Sequence, residues 1–264
     1  MLAELPETSG LAVSRRTPGV IWSHNDSGHQ SILFALDSSG ALRGRVRVPI
    51  RTRDWEDVSA ARCPAGDCLY IADIGDNSRS RARIMIYRVP EPAPTDAVTL
   101  RPEALTARYA DGPHNAEAMF VLGDKLFIIT RDRIGAVYRA DPPTAKNELV
   151  FTRVGRLGLE AVTDAEASRD ERTVVVRTAH EAVLYRAADL IGANYEPYAR
   201  IPLDGLKEPQ GEGVALDANA TLYLSSERGP WSRAGRLLTL RCPEFLATST
   251  GQARSPTRLP VAVP

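Results

Sequence analysis

Residues 54–76 read DWEDVSAARCPAGDCLYIADIGD. Two short runs, DVSAA and CLYIAD, flank the turn-forming CPAGDC, so the stretch reads as a β-hairpin. Acids stand at both ends of it: Asp54 and Glu56 on entry, Asp73 and Asp76 on exit. Whether they form a local loop site or one sector of a larger one depends on whether the pattern recurs along the chain.

It recurs, and the recurrence decides the fold. VIWSHND, CLYIADIGD, KLFIITRD, TVVVRTAH and TLYLSSER align on Trp22, Tyr70, Phe127, Val175 and Tyr223, at intervals of 48, 57, 48 and 48 residues. Each is followed by a second run (ILFALD, IMIYRVP, GAVYRAD, AVLYRAA, RLLTLR). Each is preceded by a third (TSGLAVS, WEDVSAA, NAEAMFV, GLEAVTD, GEGVALD). Alternating apolar and polar residues with Gly, Pro and Asp turns predict strands, and RAADLIGANY holds at most one helical turn. Repeats of this length with four strands each predict an all-β protein, a β-propeller. The chain reads as one domain over 1–264 with five four-stranded blades. Six blades remain the alternative if the 61-residue interval from Glu56 to Glu117 holds two units. The last strand, TRLPVAVP, is expected to complete a blade beside the N-terminus.

Composition narrows the partners. Lys and Arg total 33 against 33 Asp and Glu, with no basic cluster, which argues against nucleic acid. No apolar run is long enough to span a membrane. A small-molecule substrate and a monomer are expected. The start, MLAELPETSG, lacks a signal-peptide pattern, so the chain reads as cytoplasmic unless a leader was removed. Cys63 and Cys68 either pair across their turn, which favours an extracytoplasmic location, or remain thiols. Cys242 reads as a core thiol.

In a propeller the first strand of each blade lines the central channel. The third set is that strand, and its equivalent positions are Ser9, Glu56, Glu117, Glu160 and Glu212. Asp54 and Asn115 share a face with Glu56 and Glu117 by the period of two. Asp26, Asp73, Asp76 and Asn77 fall near a channel mouth. Converging carboxylates repel one another and resist ionisation unless a cation or arginines intervene. Oxygen ligands without sulfur favour Ca²⁺, with Mg²⁺ or Mn²⁺ as alternatives. The candidate metal ligands are therefore Asp26, Asp54, Glu56, Asp73, Asn115, Glu117, Glu160 and Glu212. Arg131, Arg177 and Arg228 end second strands and serve either as catalytic cations or as partners that hold the acids in register. His114 is a candidate base or a packing residue, and Trp22 and Trp55 either wall the pocket or pack between blades. DIGDNSRSR lacks the terminal acid of an EF-hand loop. HNDSGH holds the letters of a nucleophile site, but adjacent residues rarely meet in triad geometry.

The segments SGLAVSRRTPGVIWSHNDSG, DWEDVSA, LYIADIGDN and IYRVPEP resemble a group of bacterial β-propellers related to the esterase-like phytase and regucalcin/gluconolactonase types. The resemblance is dense over residues 8–92; NAEAM, LEAV and GEGVA carry it further. It implies a channel-centred, metal-dependent hydrolase or a relative without the activity, with Glu56, Asn115 and Glu117 as candidate equivalents of the divalent-ion ligands. No lysine cluster suggests a phytate site. The expected function is hydrolysis of an ester, lactone or phosphoester. A metal would polarise the substrate, Glu117, Glu160 or His114 would move the proton, and an arginine would stabilise developing charge. The alternatives are a non-catalytic binding platform with a structural calcium, and a metal-dependent lyase or isomerase.

Overall fold

The computed structural model describes residues 4–99, 101–141, 148–228 and 235–241; TRLPVAVP and Cys242 lie outside them. The chain is an all-β propeller. Its first unit is β1 (Thr8–Val13), β2 (Val20–Asn25), β3 (Ile32–Asp37) and β4 (Leu42–Arg47). The second holds β5 (Asp57–Cys63), β6 (Gly66–Asp73), β7 (Ile84–Pro90), the two-residue β8 (Ala97–Val98) and β9 (Glu103–Tyr109). Then come β10 (Ala116–Leu122), β11 (Lys125–Thr130), β12 (Ala136–Ala140) and β13 (Glu148–Arg156). The next unit is β14 (Val162–Ala167), β15 (Thr173–Thr178), β16 (Glu181–Arg186) and β17 (Ala199–Pro202), with the short helix α1 (Ala187–Ile191) after β16. The final described strands are β18 (Gly211–Leu216), β19 (Thr221–Ser226) and β20 (Arg236–Arg241). Among the described residues β1, β5, β10, β14 and β18 follow one another around a closed ring.

The long interval in the repeat has a specific cause. Between β7 and β9 the chain makes an excursion in which β8 pairs in parallel with β4 of the first unit. The extra residues thus seal a neighbour's outer edge. A second parallel pairing, β13 with β9, joins two units into one eight-stranded sheet.

Burial follows position in the unit. VIWSHN of β2 and AEAMFVL of β10 are buried throughout, because other units cover both faces. β9 alternates buried and accessible residues, as a strand with one wet face should. The core is therefore cut into slices between units. Trp22, Leu33, Trp55 and Leu69 fill the first slice, Tyr70, Ile84, Met119 and Phe151 the second, and Phe120, Leu157, Val174 and Tyr185 the third. Leu11, Ile21, Ala215 and Tyr223 close the ring between β18–β20 and the first unit. Trp22 and Trp55 are thus packing residues: Trp22 Nε1 donates to Glu91 at 2.9 Å, and Trp55 stacks on His24 with ring centroids 4.1 Å apart. Glu91 also accepts the backbone N–H groups of Arg15 and Arg16, each at 3.1 Å, and so ties the β1–β2 loop to the second unit. Cys63 and Cys68 form a disulfide across the β5–β6 hairpin.

The channel edges of the inner strands need hydrogen-bond partners, and buried carboxyls supply them. Asp164 Oδ2 accepts N–H from Leu11 at 3.2 Å and Val214 at 2.5 Å, which links three units. Asp57 Oδ2 accepts the Met119 N–H at 2.7 Å. Gly10 leaves the room for this arrangement: a β-carbon there would overlap Asp57 Oδ1 and come within 2.8 Å of the Val58 nitrogen. We therefore expect Gly10→Ala to lower the unfolding free energy by about 1–3 kcal/mol, the range for overpacking. An unchanged urea midpoint would count against the tight channel.

Candidate functional site

β-Bulges aim the site residues. In β10 the ladder pairs Ala116 with Thr130 and Ala118 with Ile129, so Glu117 is left out of register. In β14 it pairs Val162 with Thr178 and Asp164 with Arg177, so the residue left out is Thr163. β1 and β18 shift at Ser9–Gly10 and Glu212–Gly213. Bulges re-aim side chains, and here the extra residue turns toward the channel. Glu56 stands one residue before β5, its N–H bonded to the Ala72 carbonyl at 3.0 Å. The structural equivalents are Ser9, Glu56, Glu117, Thr163 and Glu212. Two of them link units: Ser9 Oγ donates to the Glu56 carbonyl at 2.5 Å, and Thr163 Oγ1 to the Glu212 carbonyl at 2.8 Å.

The mouth of the channel is a cavity of about 330 Å³ whose walls carry six carboxyls: Asp26, Asp54, Glu56, Glu117, Glu212 and Glu227. Ser9, Ser27, Asn77 and Gln210 complete the lining, with Arg131 as its basic side chain. Asp26, Asp54 and Glu56 bring carboxylate oxygens within 4.8 Å of one another, and they are the described group with that spacing. Gly75 makes this approach possible, since a β-carbon there would overlap Glu56 Oε1 and Asp54 Oδ2. Asp73 holds the approach from behind by accepting the N–H groups of Arg53 at 3.1 Å and Asp54 at 2.8 Å.

Glu56 is 6% exposed, and its carboxylate takes no hydrogen bond or ion pair among the described residues. Burial, then the carboxylates of Glu117, Asp26 and Asp54, push its pKa well above the ordinary value. Burial likewise raises Asp26, Asp54 and Glu212. Glu117 contacts the Arg131 guanidinium, yet its burial and the nearby Glu212 and Asp26 outweigh that cation and push it up to about 8. Glu227 is pushed up to about 7 by burial and by Glu212 and Asp26.

Other residues expected at the site are elsewhere. Glu160 is exposed and faces Arg133 at 3.9 Å outside the cavity; the bulge puts Thr163 in the ring, three positions later than simple alignment of the repeats implies. Arg177 is fully buried and spends its donors on the carbonyls of Gly213 and Ser225, at 2.8 and 3.0 Å, and on Glu208. Arg228 is exposed, its N–H bonded to the Pro6 carbonyl at 2.7 Å. His114 bonds Asp111 at 3.0 Å and the Tyr138 hydroxyl at 2.8 Å, and does not line the cavity. Asn115 accepts the Asp76 N–H at 2.7 Å and donates to Asn77 at 3.2 Å, so it positions a wall residue. Asp73 is turned toward Arg81, 3.0 Å away. In HNDSGH, His24 is buried and pushed down to about 3 by that burial, while His29 bonds Glu7 at 2.8 Å. Sequence reasoning missed Ser27, Gln210 and Glu227 as wall residues. The acid at the end of TLYLSSE matches Asp26 at the end of VIWSHND, and that correspondence was the available signal.

These raised carboxyls fix the sign of a pH effect. At pH values between the ordinary 4.5 and the folded-state values of about 8 and 7, Glu117 and Glu227 hold protons that the unfolded chain has released. The native state then binds more protons, so stability falls as pH rises through this window. Metal-free protein in EDTA should melt at higher temperature at pH 5.5 than at pH 8; the reverse order would refute the buried acidic ring.

No protein-family model matches this chain, and neither does any curated protein. Among solved structures, a gluconolactonase from Xanthomonas campestris is similar with a TM-score of 0.48 and 9% identity, over 85% of this chain and 84% of that one. A chain of a nidogen–laminin complex is similar with a TM-score of 0.47 and 13% identity, over 83% of this chain and 72% of that one. The hydrazine synthase of Kuenenia stuttgartiensis gives 0.41 and 12% identity over 86% of this chain, which spans 58% of the synthase chain. These likenesses assign no residue a role.

Proposed function

We propose that the channel mouth is the active site of a calcium-dependent hydrolase acting on an ester or lactone. The observation that carries this reading is Glu56: a buried carboxylate with no protein partner, beside two more whose oxygens lie within 4.8 Å. Buried charge without compensation is costly, and a cation supplies what the chain does not. The donor set is all carboxylate oxygen, which suits a hard divalent ion and excludes a thiolate-type site. Asp26, Asp54 and Glu56 would hold the ion, and Gly75 leaves them the space. A bound divalent ion supplies Lewis-acid activation.

The remaining walls suit proton transfer and charge stabilisation. Glu227, pushed up to about 7 by burial and by Glu212 and Asp26, ionises near neutral pH. Glu117, pushed up to about 8, keeps a proton that it can donate to a leaving oxygen. Arg131 reaches the same cavity and would stabilise an oxyanion. Ser9, Asn77 and Gln210 offer neutral hydrogen bonds for orientation. A phosphoester suits these walls poorly, because its negative charge would meet six carboxyls. The Cys63–Cys68 disulfide supports an oxidising compartment.

Calorimetry with Ca²⁺ should find about one ion per chain, and saturating calcium at 100 times its Kd should add about 2.7 kcal/mol of stability. Glu56→Gln should abolish both effects and leave the β-type circular dichroism spectrum unchanged. Hydrolysis of ester and lactone probes should disappear in EDTA. Wild-type protein that neither binds calcium nor responds to EDTA would sink the metal assignment.

A further inference from the structure

The charge of the cavity names a class of ligand. Six carboxyls face a single guanidinium across the lining. Arg131 contacts Glu117, and a divalent ion at Asp26, Asp54 and Glu56 offsets two of the charges there. Glu212 and Glu227 on the remaining wall make no ion-pair contact among the described residues; Arg131 and Arg177 act on Glu212, and Arg131 on Glu227, only from a distance. Glu212 takes a hydrogen bond only from the neutral Gln210 amide, at 2.8 Å, and the Glu227 carboxylate takes no hydrogen bond or ion pair among the described residues. A second monoatomic ion is a poor answer, since neither acid belongs to a described group whose oxygens approach within 4.8 Å. What the wall lacks is a positive charge carried on a stem long enough to reach it from the metal side. Asp26 acts electrostatically on Glu56, Glu212 and Glu227 alike, so these acids share one field. No hydrophobic side chain lines the cavity, so the stem must be polar.

We propose that this site takes a small polar ligand bearing an ammonium group, with the ammonium held between Glu212 and Glu227 and its oxygen atoms directed to the Asp26–Asp54–Glu56 side. The proposal rests on the reading of the channel mouth as the active site and narrows its substrates to amino-bearing esters or lactones. Anionic analogues are rejected by the same wall.

Glucosamine, glucose and glucose 6-phosphate test this, because they present one ring with positive, neutral and negative charge; 1,4-diaminobutane tests the charge without the ring. Calorimetry on the calcium-equilibrated full chain should show glucosamine binding about ten-fold or more tighter than glucose, the scale of one hydrogen bond to a charged group. Glucose 6-phosphate should not bind. The Glu212→Gln/Glu227→Gln variant should lose the preference while still titrating with Ca²⁺ alone. If that variant fails to fold, adding NaCl to the wild type supplies the second measurement: it should weaken glucosamine binding and leave glucose binding unchanged. Glucose 6-phosphate binding as tightly as glucosamine, or binding by neither amine, overturns the proposal. Amine binding by a wild-type chain that takes up no calcium would sink the metal reading and leave this one standing.

Discussion

The structure depends on how the inner strands satisfy their backbone groups. A strand lining a channel leaves one edge unpaired, and unpaired buried N–H groups are expensive. Here the edges are served by carboxyls from other units: Asp164 takes N–H from Leu11 and Val214, and Asp57 takes one from Met119. This solution closes the ring with polar contacts across its axis, while apolar slices between units supply the burial energy. It also makes the axis acidic, since one carboxylate can accept several N–H groups at once. The acidic mouth above continues the same chemistry toward solvent.

Much of this was legible in the sequence. Strand type and repeat length follow from alternation and from the 48-residue interval, and they give the propeller. Asp26, Asp54, Glu56, Glu117, Glu212 and Arg131 were found from periodicity alone and meet in one cavity. Periodicity failed where the backbone leaves the ladder. The bulge in β14 makes Thr163 the channel residue, and no letter in GLEAVTD announces it, so Glu160 took the place on a matching glutamate. Arg177 failed for another reason. A strand-end arginine looks the same in sequence whether it faces a cavity or fills a gap between units. The carbonyls of Gly213 and Ser225, and Gly211, where a β-carbon would overlap the Arg177 guanidinium, show that this one lies against backbone.

Within the cavity the two sides differ in how they are balanced. Glu117 has Arg131; Asp26, Asp54 and Glu56 have no ion-pair partner among the described residues. That asymmetry orients the site, because a guanidinium stands against Glu117 and none lies within ion-pair distance of the other three among the described residues. Gly75 and Asp73 act on this balance without entering the cavity, one by absence of a side chain and one by fixing the backbone of residues 53 and 54.

The two parallel pairings at the rim bear on how the molecule behaves in a crowd. Free outer strands are templates onto which further chains add. β9 and β13 occupy one another's outer edges, and β4 is covered by β8, whose two residues offer little for a partner strand to extend. Three consecutive units thereby turn a capped circumference to their surroundings, and side-by-side polymerisation finds no long edge there to start from.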